Sequence, residues 1–201
     1  MADVQDKEDA MEVNVNSWRE LKSHPSIIER YIEAFDINYW KIEDEIIDAF
    51  KEDPSSRSVI KERVHLLNAS YHTRVPVDDM VEGILGIRSL PKLIECGKEK
   101  AVVEISQCAS NKNYFSFATK YCCFGNPDKY PIFDSLSIKT LQWFNRRDCF
   151  YDEEFDFEKL RKKRDYDNYR SIVRVFREEY ELANYNFKEI DKFLWLVGKN
   201  M

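Results

Sequence analysis

The sequence predicts an all-α fold, a single compact multi-helix domain over residues 17–201, and three observations carry that expectation. Five glycines and six prolines in 201 residues leave few tight turns for β structure. Apolar side chains recur at three- and four-residue steps, the spacing of a helix face, and no segment alternates strictly enough to read as a strand. With 43% hydrophobic residues the chain is also long enough to bury a core of its own.

Residues 1–16 are polar, acidic and aperiodic and read as a flexible tail. From Pro25 onward Ile28, Ile32, Phe35, Tyr39, Ile42, Ile46 and Phe50 form the stripe of a long amphipathic helix with a joint near Asp36, ended by Pro54. Ser55 or Ser56 caps the next helix, which turns Ile60, Val64, Leu67 and Tyr71 inward. Pro76 starts a helix running to Ile84–Ile87, and "SLPKLIECG" reads as a short helix closed by Gly97. Two more helices, 98–108 and 114–124, hinge at "SNKN", and a further one is capped by Asp134 or Ser135 and carries Leu136, Ile138, Leu141, Trp143 and Phe144. A charged, aromatic connector is expected over 145–166. Helices over 167–183 and 187–199 close the chain, the second with Asn186 and Glu189 as a capping box. Its stripe of Phe193, Leu194, Trp195 and Val197 is assigned to core packing.

The net charge of −6 is uneven: residues 1–53 hold 6 Lys/Arg against 15 Asp/Glu, 54–150 hold 14 against 10, and 151–201 hold 11 against 12. A mildly basic middle section permits a local phosphate-binding face. No apolar run approaches the roughly 18 residues that span a bilayer, and "MADVQDKEDAMEVNVNSW" has neither the basic nor the apolar region of a signal peptide. No membrane partner and a cytoplasmic location are expected. Cys96, Cys108, Cys122, Cys123 and Cys149 are odd in number and form no C-x-x-C pair, so they read as buried free thiols. His24, His65 and His72 share no metal-ligand spacing with them, and no dinucleotide, Walker or zinc-protease motif occurs, so neither a metal nor a cofactor is expected.

One stretch carries candidate chemistry: "SFATKYCCFGNPDKYPIFDSLSIKTL", residues 116–141. Lys120 stands on an apolar helix among Phe117, Tyr121, Cys123 and Phe124, where desolvation disfavours the ammonium and leaves an amine able to attack carbon. Asp134 at a helix start is held ionised by the helix amides and can stabilise positive charge. The same residues also have an ordinary reading, a lysine snorkelling to solvent and an aspartate that caps a helix.

The stretch resembles the F-x-[ST]-K helix, followed by an apolar dipeptide and Asp, of proteins similar to 8-oxoguanine DNA glycosylases of the helix-hairpin-helix base-excision superfamily. The resemblance covers about residues 60–145 and implies a fold like theirs, with Lys120 attacking C1′ of a flipped-out nucleotide and Asp134 assisting. "LLNASYHTRV" (66–75) resembles the family's helix end whose Asn fills the gap left by the flipped base, which implies DNA-contact roles for Asn68, Tyr71 and His72. In place of the family's glycine-rich hairpin stands "SNKNYFS" (110–116), where Lys112, with Asn111 and Asn113, would hold a phosphate. The resemblance therefore implies duplex DNA with a damaged or abasic site as partner. A non-catalytic helical module that binds nucleic acid or protein, and a small-molecule enzyme using a Schiff-base lysine, are the competing readings. The tail "EIDKFLWLVGK" (189–199) resembles that of small uncharacterised bacterial proteins sharing the lysine–aspartate segment.

Overall fold

The computed structural model describes residues 17–110 and 112–201, with the side chains of 39–42 outside that description, as are the tail 1–16 and Asn111. A short 3-10 turn, Ser17–Glu20, leads into α1 (Ile27–Lys51), α2 (Arg57–Tyr71), α3 (Val77–Gly86), α4 (Leu90–Glu95) and α5 (Glu99–Gln107). Then come α6 (Phe115–Gly125), α7 (Ser135–Asp148), α8 (Phe157–Lys163), α9 (Tyr166–Glu179) and α10 (Phe187–Asn200). No strand occurs among the described residues. None of the helices is long and apolar enough to cross a membrane.

Because α6 is apolar almost all round, it must be covered almost all round. Residues 115 and 117–123 are all buried, and α1, α2, α4, α5 and α10 pack against it. Lys120 is thus carried by the central helix of the molecule. α10 packs on α7 and α1, closing one apolar core that runs from Trp18 to Val197. At the α7–α10 crossing the absence of a side chain at Gly198 lets the backbones meet: a Cβ there would lie 2.7 Å from Leu136 O and 2.8 Å from Thr140 Oγ1. Gly198→Ala is accordingly expected to lower stability by about 1–3 kcal/mol through overpacking. Urea denaturation checks this, and an unchanged midpoint would mean that the helices do not approach so closely.

Most of the expected elements are present, with four corrections. α1 is one continuous helix with no joint at Asp36, its Tyr39 and Ile42 lying outside the described side chains. Buried Arg63 helps to end it, donating from Nε to Ala49 O (3.0 Å) and from Nη2 to Glu52 O (2.8 Å). The stretch 145–166 is not a plain connector: α7 runs on to Asp148, and α8 forms behind Asp156, whose side chain accepts from Lys159 N. Two apolar anchors, Phe157 and Leu160, suffice to hold so short a helix, too few for a periodic signal. α9 ends at Glu179, four residues before the expected end, where Glu181 turns left-handed. Cys96 and Cys149, both at helix C-caps, are exposed rather than buried and Cys108 is half-buried, while Cys122 and Cys123 are fully buried. The Asn186–Glu189 capping box is formed with both its hydrogen bonds.

Candidate functional site

Three contacts fix the segment that delivers Asp134 to Lys120. From α9 the hydroxyls of Tyr166 and Tyr169 donate to Pro131 O (2.9 Å) and Ile132 O (2.7 Å), and Phe133 N donates to Thr119 Oγ1 at 3.4 Å, one residue from the lysine. Asp134 then caps α7, accepting from Leu136 N at 2.8 Å. The two tyrosine bonds, both buried, satisfy loop carbonyls that would otherwise cost free energy, and so hold the loop in one place.

Lys120 and Asp134 line one cavity of about 430 Å³ together with Glu43, Tyr71, Lys188 and Asp191. That volume falls in the range of roughly 300–1,000 Å³ typical of small-molecule sites. Lys120 is 5% exposed, donates to Ser116 Oγ at 2.8 Å and lies 5.4 Å from the centre of the Tyr71 ring. Among the described residues it has no salt bridge. Burial lowers its pKa below that of a free lysine, and the negative fields of Asp134 and Asp191 offset this only in part.

A second buried lysine completes the polar wall. Lys188 Nζ lies 2.6 Å from Glu43 Oε1 and 3.7 Å from Asp191 Oδ2. Tyr71 donates to Glu43 Oε1 at 2.8 Å, and Lys192 Nζ lies 3.2 Å from Glu43 Oε2 and 2.5 Å from Asp36. Burial opposes the Lys188 charge, but Tyr71, Glu43 and Asp191 outweigh it and hold its pKa well above that of a free lysine. Burial likewise pushes the Asp191 carboxyl up, to about 6, against the pull of Lys188. Glu43 stays below the usual carboxylate value because Lys188 and Lys192 overcome its desolvation. One of its oxygens, Oε2, is buried without a hydrogen bond, its contact being the Lys192 ammonium at 3.2 Å. The cavity therefore combines one lysine held as an ammonium with another pushed towards the free amine.

Of the residues singled out in the sequence, Tyr71 and His72 line the cavity with Lys120 and Asp134. Asn68 does not: its side chain donates to Val75 O and accepts from Val75 N and Thr73 Oγ1, closing the turn after α2. Asn113 lines a neighbouring groove, and Lys112 is exposed and lines neither space. Glu43, Lys188 and Asp191 were not singled out. Their signal was present, since charges at 188 and 191 interrupt an otherwise apolar helical face, but only the partner helix α1 shows what they meet. Trp195 also departs from its assignment to the core: it is half-buried, lines the cavity and meets Phe35 edge-on at 5.8 Å.

Residues 27–129, just over half of the chain, match the HI_0787_N family, described as an N-terminal domain, and the chain belongs to that family. An uncharacterised protein of Haemophilus influenzae is 32% identical over 146 residues, which span 71% of this chain and 67% of that protein. No solved structure gives a significant match. The matched region carries Glu43, Tyr71 and Lys120 and ends before Asp134, Lys188 and Asp191, so the cavity is built across its boundary.

A pH dependence follows from the state of Lys120. Only the neutral amine is nucleophilic, so reductive methylation of Lys120 is expected to speed up as pH rises and to level off below pH 10.5, the free-lysine value. Mass-spectrometric mapping of the modified residue gives the profile, and a midpoint at or above the free value would contradict the assignment.

Proposed function

We propose that the protein is a DNA base-excision glycosylase with lyase activity, acting in the cytoplasm on duplex DNA that carries a damaged base or an abasic site. The observation that carries the proposal is a buried lysine with no ion pair among the described residues, lining the same cavity as Asp134. A lysine retained for structure alone would be expected in a salt bridge or in bulk water.

In the proposed reaction the target nucleotide enters the cavity with its base against the aromatic rings of Phe35 and Trp195. Lys120 Nζ forms a bond to C1′ as the glycosidic C–N bond breaks, and the departing base leaves with the bonding electrons and takes up a proton. Asp134 stabilises the positive charge that develops on the sugar. Loss of one proton from Nζ, then cleavage of the C1′–O4′ bond with its electrons passing to O4′, which takes up a proton, opens the ring and gives a protonated imine between Lys120 and C1′. Abstraction of a C2′ proton then expels the 3′ phosphate by β-elimination.

Incubation with duplexes carrying 8-oxoguanine or a preformed abasic site tests the activity. Strand scission at the abasic site that disappears in Lys120→Gln is expected. Equal scission by the variant, or none by the wild type with either duplex, would contradict the proposal.

The rival non-catalytic module draws support from the acidic overall charge. It predicts binding of nucleic acid or protein that Lys120→Gln leaves unchanged, with no turnover.

A further inference from the structure

The lysine cavity shares part of its lining with a second space. Ser116 and Asp134 also line an adjoining groove of about 410 Å³, walled by Phe115 and Phe133 and rimmed by Arg161 and Arg164. The two arginines belong to "RKKR" (161–164), the longest uninterrupted basic run in the chain. That run lies at the end of α8, within the stretch that the sequence presents as a connector.

We infer that this groove is the track of the DNA strand beside the nucleotide bound over Lys120, with Arg161 and Arg164 holding its phosphates. The inference rests on the glycosylase reading and extends it. Three features favour a phosphodiester strand as occupant. Guanidinium groups match phosphate oxygens with paired donors, and both arginines rim the same groove. Phe115 and Phe133, with ring centroids 5.1 Å apart, offer apolar surface on which a sugar or base can rest. The groove shares Ser116 and Asp134 with the cavity, so it lies beside a strand that places one nucleotide in the cavity.

The arginines are available for this role. Arg161 pairs with Glu158 at 2.9 Å, but both side chains are at least half exposed, and such pairs are weak enough for a phosphate to displace. Arg164 lies 6.0 Å from the centre of the Phe115 ring and has no salt bridge among the described residues. Its backbone is held in a left-handed C-cap, with its N–H directed to Leu160 O and Arg161 O, immediately before the Asp165 cap of α9. Among the described residues the only acid lining the groove is Asp134, at the end shared with the cavity.

The test is fluorescence anisotropy of a labelled oligonucleotide carrying a tetrahydrofuran abasic analogue, titrated with the full chain at several salt concentrations. Arg161→Ala/Arg164→Ala is expected to bind at least tenfold more weakly. The slope of log affinity against log salt should flatten by about 0.7–0.9 for each phosphate that the variant no longer neutralises. Arg30→Ala/Lys92→Ala, at exposed positions outside the groove, should bind as the wild type does. Circular dichroism shows that each variant is folded. If DNA binds and the groove variant is unimpaired, the groove assignment falls while the glycosylase reading stands. If binding depends on the arginines but borohydride traps no adduct at Lys120 on a duplex with a natural abasic site, the groove stands and the chemistry falls. If the oligonucleotide does not bind at all, both fall.

Discussion

Lys188→Met is expected to destabilise the protein by about 3–5 kcal/mol, the scale on which a buried ion pair is felt when one partner is removed. One ammonium here serves two buried carboxylates, Glu43 at 2.6 Å and Asp191 at 3.7 Å. Its loss leaves Asp191 without a salt bridge among the described residues and Glu43 with Lys192 alone. Urea denaturation at neutral pH measures the loss. A change below about 1 kcal/mol, the range of exposed pairs, would mean that water screens the cluster.

Lys120→Met should behave in the opposite way. The folded-state pKa of Lys120 is depressed, so below that pKa its charge costs stability, and the cost fades as pH rises towards the value of the unfolded chain. The variant is therefore expected to be as stable as the wild type or more so at neutral pH, with the difference closing on alkalinisation. Destabilisation on the scale of Lys188→Met would assign Lys120 a structural role.

The largest effect on activity is expected from Lys120→Gln, which should slow lyase turnover by about 10⁴-fold or more, as losses of a nucleophile do elsewhere. Glutamine, one atom shorter, keeps a polar end to the side chain but cannot form an imine. Asp134→Asn retains a helix cap while losing the charge, so stability should change little and turnover should fall by a smaller factor, about 10²–10⁴-fold. Single-turnover kinetics on an abasic duplex separate the two variants. Equal rates for Lys120→Gln and wild type would remove the lysine from the mechanism.

How far the sequence disclosed this arrangement follows from what each signal encodes. Helix faces and caps are local, so α2, α6 and the Asn186 cap of α10 were legible residue by residue. α8 was not, because two buried side chains give no period. The pairing of Lys120 with Asp134 could be proposed because they lie 14 positions apart across one proline-marked turn. The opposite wall could not: Glu43 lies 145 positions before Lys188, and only the packing of α1 on α10 brings them together. Lys188 and Asp191 sit in a helix whose apolar stripe suggested core alone, yet its polar edge faces the cavity. Trp195 shows the same ambiguity, since an aromatic residue suits a core and a pocket wall equally.

Borohydride trapping on a duplex with an abasic site, followed by mass-spectrometric mapping, tests the central claim most directly. Reduction converts an imine into a stable secondary amine at the lysine that formed it. One protein–DNA adduct is predicted, located at Lys120 and absent in Lys120→Gln. An adduct at Lys188 or another lysine, one that survives Lys120→Gln, or no adduct at all would contradict a Schiff-base role for Lys120.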